Sequence, residues 1–305
     1  MGCQMMAALD NPSQRGAEVL KQVPAWFEAW EQTLSRFRPD SELSRLNQSS
    51  GEPVAVSRTL WDVYRTARQA EQFTQGLVTP VVLDALLQSG YDRSFEQLGT
   101  TIRPTQSRTA APTGSLQQVI EDPEALRLQL PAGMHLDFGG VAKGWAAEQA
   151  VRRLKPYGPA LVDAGGDIAV SGLRENGQPW AVGVEDPGQP DSEMEILLVG
   201  RSGIATSGTD YRRWQQNGKW QHHIIDPRTG QPADTDVLTA TVIARSLSTA
   251  EAAAKTTLIL GSQLGLRWLE DQAGCEGLLV LEDGSRLYSR GVSKYLWSET
   301  CQMLN

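Results

Sequence analysis

Two adjacent histidines lie in the stretch of the chain that is richest in groups able to do chemistry. The segment TSGTDYRRWQQNGKWQHHIIDPRTGQP holds His222 and His223, two of the three histidines in the sequence. Imidazole accepts a proton near neutral pH, so a general base is expected here unless His135 serves. Neighbouring side chains of an extended segment face opposite sides, so at most one of the pair is expected to point into a site. Two partly exposed histidines before a loop are the structural alternative.

Two glycine pairs mark places where the backbone could approach a ligand. In LDFGGVAKGWAAEQAVRRL a glycine pair precedes a predicted helix with Lys143 in its first turn, an arrangement that suits a phosphate. In DAGGDIAVSG, Gly165 and Gly166 separate two predicted strands and precede Asp167. The structural alternatives are a tight strand-to-helix turn with a solvated lysine and a plain hairpin turn.

A carboxylate and hydroxyls stand at the start of a small-residue helix predicted in TATVIARSLSTAEAAAKTTLILG. Oxygen ligands of this kind can hold Mg²⁺. Two structural alternatives exist, because Ser248 and Glu251 have the S-x-x-E spacing of a capping box. Glu251 and Lys255 also have the order of an i,i+4 ion pair. The segment by itself leaves a metal site open.

The order of predicted elements indicates an α/β (α+β) fold. Apolar spacings of three and four predict helices at 25–37, 60–73, 141–154 and 249–260. Short β-like runs begin at positions 126, 134, 160, 167 and 180, and an Asp-Gly pair at 283–284 predicts a hairpin turn. The polar stretch 99–123 is predicted to be a flexible surface loop. We expect one large domain over residues 1–305, with mixed β-sheets flanked by helices.

Charge and composition exclude several classes of protein. A formal net charge of −8 argues against a broad nucleic-acid surface, which needs clustered Lys and Arg. No segment approaches the roughly 18 apolar residues of a membrane span, and the first residues lack the pattern of a signal peptide, so we expect a cytoplasmic location. The three cysteines form no CxxC pair, which predicts neither a zinc ribbon nor a disulfide framework.

Five segments, taken in order, resemble the ApbE-like FAD:protein FMN transferases. They are SRFRPDSELSRLN, LDFGGVAKGW, DAGGDIAVSG, TSGTDYRRW with HHIIDPRTG, and AEAAAKTTLILG. HHIIDPRTG is the most specific of them. The resemblance implies an enzyme that binds FAD with Mg²⁺ at the pyrophosphate. It further implies transfer of FMN, through a phosphoester, to a Thr or Ser of a target flavoprotein, with release of AMP.

The same resemblance assigns roles to single residues. His223 corresponds to the histidine that takes the proton from the attacking hydroxyl, and Asp226 to the aspartate of that motif. The backbone carbonyl of Ala142 corresponds to a metal ligand. The residues expected to line the flavin site are Phe37, Ser41, Glu42, Asn47, Lys143, Gly165, Gly166, Asp167, Ser207 and Gly208.

The sequence departs from the family pattern where magnesium ligands are expected. Glu251 stands at the position of a ligating Asp, and Lys255 at that of a ligating Thr. Because a charged lysine cannot ligate a metal, we expect the Lys255 ammonium to take the place of the ion and to pair with Glu251. Phe37 replaces a Tyr that lies against the flavin ring, and Thr79 replaces the Asp of F-D-P-T.

Two other functions stay open at the level of sequence. A related enzyme could split FAD into FMN and AMP with water as the acceptor, which needs the same histidine but no protein partner. A flavin-binding protein without catalysis would fit the altered metal pair, whereas the retained His223, Asp226 and Lys143 disfavour it. Transfer to a protein is the function we expect.

Overall fold

Most of the helices come in the first half of the chain and a long run of antiparallel strands follows them in the computed structural model, which describes residues 4–49, 51–98, 111–189, 191–216 and 218–298. The described residues form two compact units. Unit 1 comprises Pro24–Ala146 and Thr209–Asp234, whereas unit 2 comprises Gln4–Val23, Ala147–Gly208 and the stretch from Thr235 onward. Each unit is thus assembled from distant parts of the sequence. The division into two compact units does not test the expectation of one large domain over residues 1–305, which stays a prediction.

The predicted helices are confirmed, with shifted ends. The described residues hold the α-helices α1 (Gln14–Leu20), α2 (Val23–Leu34), α3 (Glu42–Asn47), α4 (Arg58–Phe73), α5 (Leu83–Gln88), α6 (Phe95–Leu98), α7 (Ala142–Leu154) and α8 (Leu247–Glu270). The predicted helix end at 260 coincides with a break inside α8, where Gly261 has a φ of 78°. Among the described helices, none has both the length and the apolar character that a membrane crossing requires.

Most predicted strands are confirmed as well. The strands are β1 (Met5–Leu9), β2 (Val54–Ala55), β3 (Ile120–Asp122), β4 (Arg127–Gln129), β5 (Ala160–Ala164), β6 (Ile168–Val170), β7 (Trp180–Glu185), β8 (Glu193–Val199), β9 (Ser202–Gly208), β10 (Arg213–Gln216), β11 (Lys219–His222), β12 (Ile225–Asp226), β13 (Gln231–Pro232), β14 (Val237–Ala244), β15 (Glu276–Leu281) and β16 (Arg286–Tyr288). The predicted hairpin turn joins β15 to β16, and Gly284 takes a φ of 83° there.

The strand predicted from Met134 is wrong, and the reason is visible in its hydrogen bonds. The Asn47 side chain occupies both backbone groups of Leu136, donating to its oxygen and accepting from its nitrogen at 2.8 Å each. The next amide, that of Asp137, donates to the Pro80 oxygen at 2.8 Å. A side chain and a loop therefore use the groups that a neighbouring strand would need.

A seven-stranded antiparallel sheet forms the body of unit 2, with the order β1-β5-β6-β9-β14-β15-β16. Apolar side chains on its strands meet the inward side of the β7–β8 hairpin in one buried cluster. Leu197 and Ile243 are among the fully buried members. Alternating residues on each strand supply this layer, as expected for a sheet covered on one face by a second one.

Helix α8 lies close against β9 in unit 2. A Cβ atom added at Gly203 would overlap the backbone of Leu247, so the start of the helix is seated directly on the strand. Farther along, the Leu258 oxygen accepts a hydrogen bond from the Thr235 hydroxyl at 2.7 Å. The helix is thereby fixed to β9 at its start and to the segment before β14 at Leu258, two places 11 residues or about 16 Å apart along its axis.

Unit 1 contains α2 to α6, a three-stranded sheet in the order β2-β4-β3, and the hairpins β10–β11 and β12–β13. Strand β3 and a short 3-10 turn, Leu116–Gln118, fall within the stretch predicted as a flexible loop. The regular structure thus begins earlier than the composition of 99–123 suggested, because β3 pairs with β4. Residues 99–110 of that prediction lie outside the described residues.

We expect Gly203→Ala to lower stability by about 1–3 kcal/mol, since the added methyl group would push α8 away from β9. Urea unfolding measures the difference. Gly172→Ala is the matched control, because a Cβ there meets no described atom within 4 Å. An equal effect of the two substitutions would contradict the close approach.

Candidate active site

The structure distinguishes the two adjacent histidines. The Ile224 amide donates to His222 Nδ1 at 3.3 Å, and His222 Nε2 lies 3.0 Å from the Ala233 oxygen. This pattern requires a neutral ring with its proton on Nε2. Burial lowers the pKa of His222 below its usual value of 6.5. His222 therefore has a structural role, which leaves its partly buried neighbour His223 as the candidate base.

The DPRTG segment after His223 is a tight turn built around Asp226. The Asp226 oxygen accepts from the amides of Thr229 and Gly230 at 3.1 and 2.8 Å. Its carboxylate, in a residue only 8% exposed, accepts from the Arg228 amide and from the Arg228 guanidinium at 2.8 to 3.2 Å. The carboxylate raises the pKa of Arg228 in turn. Asp226 is thus a positioning residue that fixes the backbone next to His223.

The segment that starts at Ala111 lies directly on this turn. Thr113 donates its amide to the Pro227 oxygen at 2.8 Å. Gly230, with a φ of 67°, leaves no room for a Cβ because the Ala111 oxygen stands there. The turn therefore depends on chain from another part of unit 1, which its own sequence does not reveal.

Glu71 anchors that supporting segment, and sequence reasoning missed it. The residue is 6% exposed, and its carboxylate accepts from the Ser115 hydroxyl at 2.6 Å and from the Leu116 amide at 3.0 Å. The Thr79 hydroxyl donates to the same carboxylate at 2.5 Å. An aspartate at position 79 would bring a second negative charge against Glu71, which explains why the departure from F-D-P-T suits this chain.

The residues of the expected first flavin loop surround α3. Ser41 caps this helix by accepting from the Ser44 amide at 3.0 Å, and it is fully buried. The Glu42 carboxylate accepts from the Ser57 hydroxyl at 2.6 Å, and Asn47 holds Leu136 as described above. These three polar side chains have internal partners, whereas Phe37 is 40% exposed. Among the four, Phe37 offers an open surface to a flat ring.

An arginine supports Phe37, and this residue was not predicted. The Arg36 guanidinium carbon lies 4.1 Å from the centre of the Phe37 ring and 4.7 Å from that of Tyr91. Arg36 Nε also lies 2.5 Å from a carboxylate oxygen of Asp137, and both side chains are about nine-tenths buried. In the sequence, only their positions pointed to Arg36 and Asp137, since both fall inside segments that resemble the family.

The start of α7 differs from the expected phosphate cradle. The amides of Val141 and Ala142 donate to the Phe138 oxygen at 3.0 and 2.8 Å, and the Gly139 amide donates to Asp137 at 2.6 Å. These three amides are therefore committed within the turn. The half-buried Lys143 supplies the positive charge at this helix start.

Gly165 and Gly166 form an open turn between β5 and β6 in unit 2. Their φ angles are 70° and 87°, a region that other residues rarely adopt. The Asp163 carboxylate accepts from the Gly166 amide at 2.7 Å and so fixes the turn. A Cβ at Gly166 would meet no described atom within 4 Å, so a ligand could approach its backbone. Asp167 closes the turn and is 2% exposed.

Ser207 and Gly208, at the end of β9, lie at the same end of the sheet as this turn. Strand β6 runs antiparallel to β9 with Ile168 opposite Ile204, so continuing the register brings the glycine turn beside Ser207. Helix α8 starts at Leu247, beside Gly203, and runs toward this end. At about 1.5 Å per residue, Lys255 lies about 12 Å along it, level with the end of β9. The sheet thus gathers the unit 2 candidates at one end.

Glu251 and Lys255 form a buried ion pair on α8. Lys255 Nζ lies 3.0 Å from Glu251 Oε1, and the side chains are 16% and 1% exposed. The alternative of a Ser248–Glu251 capping box is wrong, because Ser246 caps the helix by accepting from the Thr249 amide at 3.2 Å. The Ser248 hydroxyl donates instead to Glu148 at 3.1 Å.

The fold and these groups define a protein of helices and antiparallel sheets that carries a histidine before a fixed turn and a buried lysine–glutamate pair. The comparison with known sequences is specific, since residues 1–279 match the ApbE family. The chain belongs to the ApbE family.

Curated relatives in this family are identical to the chain at a quarter to a third of the aligned positions. The FAD:protein FMN transferase of Vibrio cholerae serotype O1 is 32% identical over 263 residues, 84% of this chain and 78% of the relative. The FAD:protein FMN transferase of Salmonella typhimurium is 30% identical over 82% of this chain and 73% of the relative.

Solved structures agree with the fold. The ApbE protein of Thermotoga maritima superimposes with a TM-score of 0.83 at 24% identity, covering 97% of this chain and 100% of that one. The flavin transferase ApbE of Vibrio cholerae gives a TM-score of 0.77 at 27% identity, covering 97% and 96%. The predicted ApbE-like fold is confirmed.

We expect His222 to make stability depend on pH. Its pKa is below 6.5 in the folded protein and near 6.5 when unfolded, so the unfolded chain binds the proton more readily and stability falls as the pH drops below about 6.5. His222→Gln removes this dependence, although it weakens the contact with Ala233. Urea unfolding at pH 7.5 and pH 5.5 should show a smaller acid loss in the variant. An acid loss in His222→Gln as large as that of the wild type would contradict this expectation.

Proposed function

We propose that the chain is an FAD:protein FMN transferase, which attaches the FMN part of FAD to a Thr or Ser hydroxyl of a target flavoprotein and releases AMP. Curated relatives with this name cover more than two thirds of both sequences. The observation that carries the proposal is the division of labour between the adjacent histidines. His222 is bound to the backbone on both ring nitrogens, and His223 stands at the entry to the turn built on Asp226.

The reaction exchanges the phosphoanhydride bond of FAD for a phosphoester bond to the acceptor. The acceptor oxygen forms a bond to the FMN phosphorus while the bond from that phosphorus to the bridging oxygen of AMP breaks. His223 takes the hydroxyl proton, and AMP leaves with the bridging oxygen. Positioning and neutralisation of charge carry most of the catalysis in reactions of this type. FAD is thus a substrate, and water in place of the hydroxyl would give hydrolysis.

The flavin and phosphate groups are assigned to the residues that the family pattern indicates. Phe37, backed by Arg36, offers a ring face to the isoalloxazine. Lys143 and the glycine turn at Gly165 and Gly166 are the groups for the phosphates, and Ser207 with Gly208 ends the strand beside that turn. Among the remaining proposed lining residues, Ser41, Glu42 and Asn47 also hold their loops through hydrogen bonds. Asp167 is buried at the glycine turn.

We expect His223→Ala to abolish FMN transfer while the protein still binds FAD. The variant and the wild type are incubated with FAD and a Thr-bearing acceptor flavoprotein, and the acceptor is examined by mass spectrometry for an FMN-sized gain. A loss of about 10²–10⁴-fold is the usual effect of removing a general base.

Two controls make this assay decisive. His222→Gln changes the neighbouring ring and should retain transfer, and an acceptor with Thr→Ala should gain no mass. Release of FMN and AMP without modification of any acceptor would favour hydrolysis. FAD that stays bound and intact would favour a flavin-binding protein instead.

Magnesium does not fit the residues at the expected ligand positions. Lys255 presents a positive charge to Glu251 at 3.0 Å, so a second cation at this carboxylate would meet direct repulsion. An ammonium has no lone pair to offer to a metal. The Lys255 charge serves in place of the ion, and the carbonyl of Ala142, the other proposed ligand, lies in the first residue of α7.

We expect Lys255→Thr to acquire a need for Mg²⁺ that the wild type lacks. The threonine supplies an oxygen and leaves Glu251 without its cation, so Mg²⁺ gains a site and restores the lost charge. Isothermal titration with Mg²⁺ in the presence of FAD measures binding, and transfer is assayed with EDTA or with Mg²⁺. Lys255→Met, which offers no oxygen, is the matched variant and should be rescued poorly. Tight Mg²⁺ binding by the wild type that is lost in Glu251→Gln would contradict the idea.

The partner in this proposal is the target flavoprotein. A cytoplasmic location remains the expectation from the sequence.

A further inference from the structure

Arg36 is a buried arginine whose guanidinium contacts three other residues of unit 1. Its side chain is 7% exposed, and Nε lies 2.5 Å from Oδ2 of Asp137. The guanidinium carbon lies 4.1 Å from the centre of the Phe37 ring, and Nη2 donates to the backbone oxygen of Tyr91 at 2.8 Å. Because a guanidinium is planar and rigid, these three contacts hold one another in place.

Tyr91, which accepts this hydrogen bond, is packed firmly in its turn. It is 7% exposed, and its ring centre lies 5.3 Å from that of Trp214. The Trp214 Nε1 donates to the Ser89 oxygen at 2.7 Å, close to Tyr91 in the chain. Arg36 therefore contacts a fixed, buried ring and the 40% exposed Phe37 ring at once, and it holds the exposed ring against the buried part of unit 1.

The contact with Asp137 leads to the start of α7. While Oδ2 of Asp137 faces Arg36, Oδ1 accepts from the Gly139 amide at 2.6 Å. A Cβ atom added at Gly139 would lie 2.8 Å from Oδ1, so the glycine leaves room for this carboxylate. Lys143 follows four residues later, in the first turn of α7. The carboxylate that Arg36 neutralises therefore shapes the turn that places Lys143.

We propose that Arg36 is a positioning residue that fixes the spacing between the Phe37 ring and the Lys143 ammonium, and thereby selects flavins that carry a phosphate. The proposal rests on the function proposed above, which assigns these two residues to the isoalloxazine ring and to the phosphates. A ligand held at both ends gains full affinity only where the two sites already stand at the right separation. Arg36 contacts Phe37 directly and acts on Lys143 through the turn that Asp137 fixes.

A lysine at position 36 would not replace the guanidinium. An ammonium is a single charged point on a flexible stem, so it could pair with Asp137 but would not also reach the Tyr91 oxygen and the Phe37 ring. Removing the charge alone would leave the Asp137 carboxylate, whose side chain is 10% exposed, without its cation in the interior. A variant that loses both charges together avoids this second effect.

Riboflavin and FMN test the proposal, because they share the ring and the ribityl chain and differ only in the phosphate. Quenching of their fluorescence measures binding to the wild type, to Arg36→Lys and to the double variant Arg36→Met/Asp137→Asn. We expect the wild type to bind FMN more tightly than riboflavin. In both variants this preference should fall by about fivefold or more, because the ring and phosphate sites no longer stand at a fixed separation.

Arg174→Met is the matched control and should leave the preference for FMN unchanged. Arg174 also pairs with an aspartate, Asp10, and lies over an aromatic ring, that of Trp180, but it belongs to unit 2. Lys143→Met should weaken FMN binding by the wild type, and by a smaller factor when it is added to the double variant. A purely structural effect would lower the affinities for riboflavin and FMN by the same factor. That result, or a wild type without preference for FMN, would overturn the proposal.

Transfer of FMN from FAD to an acceptor flavoprotein separates this proposal from the proposed function. A wild type that prefers FMN as expected but modifies no acceptor would refute the transferase and leave Arg36 as the positioning residue of a flavin-binding site. Normal transfer by the wild type, together with an undiminished preference for FMN in the Arg36 variants, would refute the role of Arg36 alone.

Discussion

A carboxylate that is removed from water must be given donors or a cation, and this constraint organises the loops of the protein. Glu71, Asp137, Asp226 and Glu251 are each less than a tenth exposed. Their partners are hydroxyls, backbone amides, arginines and a lysine, supplied from within the same unit. An unpaired charge at any of these places would cost several kcal/mol, so each carboxylate forces its loop into the one arrangement that satisfies it.

This constraint explains how short, irregular segments can fix the backbone beside His223, the proposed general base. The DPRTG turn has little apolar surface of its own and is fixed from inside by Asp226. It is fixed from outside by the segment at Thr113, which Glu71 ties down in turn through Ser115. His223 therefore stands on backbone whose position is set twice, and preorganisation of this kind is what general-base catalysis requires.

The ion pair of Glu251 and Lys255 follows the same rule, because the buried carboxylate of Glu251 has a cation as its partner. A metal ion at this place would depend on its concentration and on waters to complete its shell. The Lys255 ammonium, by contrast, is part of the chain. It lies four residues from Glu251 on the same helix, and the helix orients it. In the proposed function, this ion pair replaces an exchangeable metal ion with a cation that the chain itself carries.

Much of this architecture could be read from the sequence. The helices were predicted because apolar residues recur at helical spacing, and β5, β6 and β7 because each is a short run bounded by turn residues. The strand expected from Met134 failed for a reason that no local pattern contains. Its backbone groups are satisfied by Asn47, a residue 89 positions away in the chain.

The sequence by itself determined the family, the His-His-x-x-Asp segment and the i,i+4 pair on α8, because each depends on residue types at short spacing. Only the tertiary structure decided which histidine is committed to the backbone, since that depends on where Ala233 lies. It also decided that Glu71 and Arg36 support the site. Both act through contacts with residues far away in the chain, and the folding of the chain is what brings such residues within the few ångströms over which hydrogen bonds act.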